Sequence, residues 1–455
     1  MKINKYFNMK KKIINNTSEK IILKANDLLF GYKISKYLQL LLDSQWWEEQ
    51  RLIDYQEKRL RELIKHSVET VPYYKDLFKD LKLKIDDIKT IRDLQKLPIL
   101  NKSIIKSEGT SRFLSSSFST NDLIKSSSSG STGEPLFYFR TKDAYSMNIA
   151  ANLRGWYWMD YRLGDKFIKL SNGLRENKLK NIQDFITRNL YLNTNPLSDD
   201  NFETILQRIA KYQPAFLRCY PDPLIYLSRY IKKYPINSFN IKAINTTGNT
   251  LFQENRREIE EAFGCKIFDS YGSEGNSTVF ECPTHSCYHS AMEYGITEIL
   301  DNSEKILKNG VGRLISTDLW NYAHPFIRYD TQDLIEASIK KCTCGRSLLP
   351  ITKIIGRDND VLEFNNGQRF IVHNFTVFFQ NDNQQLNKSV EQFQIIKHKE
   401  CSVTLNLIVN KNFNRSVQKY IADYWSNQFE TKVDINIVDN IPLTKSNKRR
   451  FIINE

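Results

Sequence analysis

The run Ser126-Ser127-Ser128-Ser129-Gly130-Ser131-Thr132-Gly133-Glu134-Pro135 sets hydroxyl side chains and two glycines side by side. Such a loop can wrap phosphate oxygens with hydroxyls and backbone N–H groups. No Gly-Lys-[Ser/Thr] follows, so it is not a Walker loop, and a flexible Ser/Gly linker would have the same composition. A second group, Asp269-Ser270-Tyr271-Gly272-Ser273-Glu274-Gly275, follows a predicted strand. A ring there can stack on a base, a hydroxyl can meet a phosphate and a carboxylate can hold Mg²⁺, although a plain tight turn would read alike. Within Asp318–Leu334, a buried Asp333 can accept both hydroxyl protons of a ribose, and Arg328 can neutralise a phosphate. Gly356-Arg357-Asp358-Asn359-Asp360 and the basic end Leu443-Thr444-Lys445-Ser446-Asn447-Lys448 complete the set.

Two knuckles, Cys282-Pro-Thr-His285-Ser-Cys287-Tyr-His289 and Cys342-Thr-Cys344-Gly345, carry thiols and imidazoles. These donors suit a closed tetrahedral structural Zn²⁺. Cys282, Cys342 and Cys344 take three places, and His289, Cys287 or His285 the fourth. Free buried thiols are the alternative. Seven cysteines in 455 residues make no disulfide scaffold, and none sits beside an activating base as a nucleophile would.

Regular elements must position these groups. Residues 34–83 read as helices, with Leu60, Leu63 and Ile64 at helical spacing before a breaker at Val71-Pro72. From Asp165 strands and helices alternate: strand Lys166–Leu170, helix Asn201–Tyr212, strand Ala215–Cys219 and helix Asp222–Tyr234. Strand Lys242–Thr246, helix Gln253–Phe263 closed by Gly264, and strand Cys265–Asp269 follow. That alternation predicts an α/β fold with a mostly parallel sheet. After Arg357 the strands Gln392–Lys397, Ser402–Val409 and Lys432–Val438 surround a helix, Arg415–Gln428, as in a small α+β unit. Two domains are expected, residues 1–357 and 358–455.

The composition is that of a globular chain, with 26% charged and 40% apolar residues and no apolar run of membrane-spanning length. The N-terminus lacks a secretory signal's apolar stretch, so a cytoplasmic location is expected. The net charge of +14 favours anionic partners, and leaves a nucleic-acid or membrane-surface binding protein as the competing class. Because Lys and Arg are dispersed along the chain, no nucleic-acid function is expected; peripheral membrane contact and oligomeric state stay open.

In this order the five groups resemble the adenylate-forming superfamily of acyl-CoA synthetases, nonribosomal-peptide adenylation domains and luciferases. The phenylacetate–CoA ligase branch, with its capsular-polysaccharide relatives, is the nearest in pattern. Leu60–Tyr74 and Asn321-Tyr322-Ala323-x-Pro325-x-Ile327-Arg328-Tyr329 are similar to that branch too. The resemblance implies a large N-terminal α/β domain, a small mobile C-terminal domain, and ATP-dependent activation of a carboxylic acid as acyl-AMP. The acyl group would pass to coenzyme A, or to a sugar or lipid-linked acceptor. Ser127, Ser128, Ser129, Gly130, Ser131, Thr132 and Gly133 would hold the β- and γ-phosphates. Gly248 and Asn249 would border the adenine under Tyr271. Ser273 would touch the α-phosphate, with Gly272 also in the nucleotide site, Glu274 would carry Mg²⁺, and Asp333 would bind ribose near Arg357. Lys448 would bridge the α-phosphate and the carboxylate, and His289 would be the fourth zinc ligand. Tyr157, Trp158, Tyr220 and Asn245 lie in segments suited to line the acid pocket. Three departures stand out: Glu134 in place of Lys, and Gln332 and Asn447 in place of Gly.

Overall fold

The computed structural model describes residues 17–127, 136–171, 184–185, 187–194, 197–235, 240–273, 278–357, 361–364, 369–371, 375, 378–379, 386, 389–400, 402–442 and 450–455. The strands are β1 Ile124–Ser127, β2 Phe137–Arg140, β3 Phe167–Ser171, β4 Asn189–Asn193, β5 Phe216–Cys219, β6 Ala243–Thr247, β7 Lys266–Gly272, β8 Thr278–Glu281, β9 Tyr288–Ser290, β10 Gly295–Leu300, β11 Gly310–Asp318, β12 Tyr329–Ala337 and β13 Pro350–Arg357, then β14 Val361–Glu363, β15 Arg369–Ile371, β16 Val390–Lys397, β17 Val403–Val409, β18 Val433–Ile437 and β19 Ile452–Asn454. Contacts divide the chain into two compact units, the second of which contains Ile355–Glu455.

The first unit is built on an 11-stranded sheet in the order β10-β11-β12-β13-β9-β8-β7-β6-β5-β3-β4. β4-β3-β5-β6-β7 run parallel; β7-β8, β8-β9, β9-β13 and β10-β11 pair antiparallel. The sheet is therefore mixed and not mostly parallel. Helical crossovers cease after β7, and the short turns that follow can join only antiparallel neighbours.

Alternate residues of the parallel run face different covers. Ile168, Leu217, Ile244 and Ile267 pack with helices Asp199–Tyr212, Pro221–Lys233 and Gln253–Phe263. Phe167, Phe216, Ala243 and Phe268 pack with helix Lys142–Trp158. Ser198 caps helix Asp199–Tyr212 by accepting from Asn201 N, with two aspartates in the first turn to meet the helix dipole. Gly264 at φ +65° stops helix Gln253–Phe263 in the left-handed conformation that glycine adopts without strain. Gly155 lets helix Lys142–Trp158 sit on β8, because a Cβ there would lie 2.2 Å from the Phe280 ring.

The N-terminal helices brace this body. Helix Glu49–Thr70 buries Leu52, Leu60, Leu63 and Ile64 on one stripe. Val71 is extended, as a residue before proline must be, and Pro72 opens the next helix at its first turn. Tyr74 of that helix donates to Pro325 O at 3.0 Å and accepts from Ile327 N at 3.2 Å, which joins two of the sequence motifs. No helix among the described residues is long and apolar enough to cross a membrane.

In the second unit β16 and β17 pair antiparallel, with β18 parallel to β17 and β19 parallel to β16. Helix Arg415–Phe429 places Trp425 and Phe429 against Phe375, Phe364 and Phe370. This aromatic cluster is the unit's core.

Candidate active site

The C-terminal ends of β5, β6 and β7 bring several of the expected residues to one edge, where open α/β sheets bind ligands. Gly248 follows β6 at φ +84°, and a Cβ on it would lie 2.4 Å from the Tyr220 ring. Glycine is thus required there by conformation and by contact. The Asn249 amide donates to Asp222 at 2.5 Å, at the start of helix Pro221–Lys233. Tyr271, the last residue but one of β7, packs against the cluster of Val279, Ile299 and Leu314. The Ser273 hydroxyl is buried with no hydrogen-bond partner among the described residues.

Asp269 anchors this edge. It accepts from Thr246 Oγ1 at 2.6 Å and from Tyr288 Oη at 3.0 Å. Its own N–H donates to Glu281 at 2.7 Å, and Glu281 also pairs with Arg256 at 2.8 Å. Burial pushes the Asp269 carboxyl up to about 7, with the Glu281 charge adding to the shift and the Thr246 hydroxyl opposing it.

Other expected residues fall elsewhere. Arg328 is buried and spent: its Nε donates to Glu298 at 3.2 Å and Nη1 to Leu97 O at 2.6 Å. Its role as a phosphate ligand is withdrawn, because this guanidinium neutralises a buried carboxylate. Asp333 lies buried in β12, and the preceding Gln332 holds φ +60°, a strained angle for a residue with a Cβ. Ser127 ends β1, exposed, and Gly272 ends β7. Arg357 ends β13. Ser128, Ser129, Gly130, Ser131, Thr132, Gly133, Glu274 and Lys448 lie outside the described residues.

Two of the expected pocket residues are turned to other work. Tyr157 donates its hydroxyl to buried Glu19, and Trp158 donates Nε1 to Gln45 at 2.9 Å. Asn245 is placed instead beside Trp156, whose Nε1 donates to its Oδ1 at 3.1 Å. Sequence reading missed Trp156, and with it Lys169 and Arg218. The available signal was a charged residue inside each of two otherwise apolar strands.

The cysteine knuckles converge. Ligand atoms of Cys282, His289, Cys342 and Cys344 all lie within 4.8 Å of one another. Cys282 and Cys342 sulfurs are 3.5 Å apart, and His289 Nε2 is 3.2 Å from the Cys344 sulfur. A tetrahedron with Zn–S bonds near 2.3 Å has edges of about 3.8 Å, so the donor set fits that ion with small adjustment. His289 Nδ1 lies 3.2 Å from Leu348 O, which leaves Nε2 to ligate. His285 is held by Glu281 at 3.0 Å, and Cys287 stands beside the four, 3.8 Å from His289.

The chain superposes on 2-hydroxyisobutyryl-CoA ligase in its postadenylation state, in complex with R3-HIB-AMP, with a TM-score of 0.70 at 15% identity, covering 88% of this chain and 89% of that one. The anthranilate CoA ligase AuaEII with anthranoyl-AMP gives 0.53 at 15% identity, over 74% of this chain and 66% of that one. The fold is that of the adenylate-forming ligases. Residues 366–455 match the family model described as the CapK C-terminal domain. Protein CapK of Staphylococcus aureus is 23% identical over 422 residues, 89% of each chain. Phenylacetate-coenzyme A ligase of Pseudomonas putida is 28% identical over 324 residues, 68% of this chain and 72% of that one. CapK and the phenylacetate–coenzyme A ligases are thus this chain's homologues.

The Asp269 network makes stability depend on pH. A carboxyl whose folded pKa is raised binds a proton that the unfolded chain has released, so its contribution is full near pH 4 and is lost as pH rises through about 7. Asp269→Asn should remove that component. Compared with the variant, the parent should lose on the order of 1–4 kcal/mol between pH 5 and pH 8 in urea unfolding. Parallel pH profiles for the two proteins would show that Asp269 does not hold the proton.

Proposed function

We propose that this protein activates a carboxylic acid with Mg-ATP, forming acyl-AMP and pyrophosphate, and then passes the acyl group to coenzyme A. The observation that carries this reading is the edge of β5, β6 and β7. It sets Gly248, Tyr271 and the unpartnered Ser273 hydroxyl together in a fold otherwise seen holding acyl-AMP. Gly248 and Asn249 border the adenine with Tyr271, Ser273 meets the α-phosphate, and Asp333 holds the ribose. Ser127 to Gly133 cradle the outer phosphates, with Glu274 on Mg²⁺ and Arg357 near the ribose.

Reaction requires a carboxylate oxygen to attack the α-phosphorus while pyrophosphate departs. Both are anionic, so the largest gain comes from positive charge placed where negative charge gathers in the transition state. Lys448 supplies it, and a compact ammonium suits a site whose oxygens change partners. Residues 1–357 form the adenylating domain and 358–455 the small domain that carries Lys448. Four donors, Cys282, His289, Cys342 and Cys344, hold a structural Zn²⁺ that ties the segment after β8 to the segment after β12.

A second reading keeps the adenylate and makes the acceptor a sugar or lipid-linked group of a surface polysaccharide. One observation favours it: the C-terminal residues match the CapK C-terminal domain model. Incubation with a cognate acid, ATP and coenzyme A decides between the two, since thioester forms only under the first.

Lys448→Ala should lower acid-dependent ATP–pyrophosphate exchange on the order of 10²–10³-fold while ATP binding is retained, because the lost interaction belongs to the transition state. Exchange at the parent rate would remove Lys448 from the reaction. Purified protein should carry about one zinc per chain, and Cys342→Ser with Cys344→Ser should release it and lower the melting temperature. Metal-free protein of unchanged stability, prepared without chelators, would remove the metal.

A further inference from the structure

On the sheet face under helix Lys142–Trp158 the strands line up in register, and the rows change character toward the C-terminal edge. Asn189, Phe167, Phe216, Ala243 and Lys266 form one row. Two residues further along lie Tyr191, Lys169, Arg218, Asn245 and Phe268. Lys169 and Arg218 are therefore direct neighbours on adjacent parallel strands, which lie about 4.8 Å apart. Trp156 covers both cations, its ring 5.1 Å from Lys169 Nζ and 5.7 Å from the Arg218 guanidinium, and ties itself to the row through Asn245.

Arg218 has no carboxylate partner among the described residues, and its Nε is buried without an acceptor. Besides Lys169, the Tyr191 and Tyr220 phenols and the Cys219 thiol stand near it among the described residues, and burial pushes that thiol up. Burial lowers the pKa of Arg218 itself. Two buried arginines of this unit have carboxylates of their own, Arg154 with Glu293 at 2.8 Å and Arg328 with Glu298, and buried Arg346 donates Nε to Gln45 Oε1 at 3.0 Å; the Arg218 Nε has no acceptor of either kind among the described residues. Arg218 is half-buried, and a guanidinium whose buried Nε lacks an acceptor, beside a second cation, is stabilised by an anion that joins it. The next residue after β5, Tyr220, packs on Gly248 at the nucleotide edge, so this row lies directly behind that edge.

We infer that the Lys169–Arg218 row binds a second anionic group, carboxylate or phosphate, at the far end of the acid being activated. Resting on the adenylation reading, this narrows the substrate class to acids with an additional negative charge. Trp156 and Tyr191 flank the anion's carbon skeleton, and Arg218 offers the paired N–H donors that fit a carboxylate or phosphate.

Two readouts on the full chain test it. In acid-dependent exchange, 4-carboxyphenylacetate should exceed phenylacetate, and glutarate should exceed butyrate, by more than tenfold in kcat/KM. Arg218→Gln should erase this preference, with the dianions losing on the order of 10²-fold and KM for ATP unchanged. In thermal melts without ATP, the dianions should stabilise the parent and not Arg218→Gln. The unliganded variant should melt no lower than the parent, since an uncompensated charge has been removed. Dianion stabilisation that depends on Arg218, without exchange for any acid, would uphold the anion site and reject adenylation. Equal handling of dianions and monoanions by the parent would overturn the inference. So would an Arg218→Gln effect on ATP alone, or a variant that melts lower with unchanged acid preference.

Discussion

Asp269 is a carboxyl sealed between strands, and its hydrogen bonds hold four of them in place. Thr246 brings β6, Tyr288 brings β9, and the Asp269 N–H reaches Glu281 at the end of β8. β7 runs on from this point to Gly272 in one direction, and Cys282 follows Glu281 in the other. The strand edge that carries Gly248 and Tyr271 and the cysteine–histidine cluster therefore share one buried network. A disturbance at either is felt at both, because packed interiors transmit small shifts instead of absorbing them. Arg256 completes the network by neutralising Glu281, which leaves Asp269 as the member that takes up a proton.

Charge placement divides the first unit in a similar way. Two buried arginines carry their own carboxylates: Arg154 with Glu293, to which Ser44 also donates, and Arg328 with Glu298. These pairs fix the N-terminal helices and the segment before β12, and removing one partner would strand a buried charge. Arg218 differs in that its neighbour across the strands is Lys169, Trp156 covers both cations, and its Nε has no acceptor among the described residues.

Much of this was legible in the residues, and the failures have physical causes. Helix Gln253–Phe263 was read with both its ends because Gly264 marks the stop by its conformation. Strands such as β5 and β6 were found within a residue by their apolar runs between turn signals. Helix Lys142–Trp158 went unread: it is buried nearly all round, so it has no polar face to give a helical period. The antiparallel half of the sheet was missed because its strands are joined by cysteine knuckles and turns, with no helices between them among the described residues. Arg328 was misread because its cationic type is visible in sequence, whereas its partner Glu298, 30 residues earlier, is not. The four residues named as metal ligands do converge, since donor type and spacing survive without knowledge of the fold.

Transfer of carboxylate oxygen to AMP tests the central claim most directly. An acid that supports turnover is supplied with both carboxylate oxygens as ¹⁸O, and the nucleotide and phosphate products are weighed by mass spectrometry. Attack on the α-phosphorus followed by acyl transfer leaves one labelled oxygen in AMP and none in pyrophosphate. Label in orthophosphate with ADP as the nucleotide product would mean attack on the γ-phosphorus and an acyl phosphate, and would contradict the account.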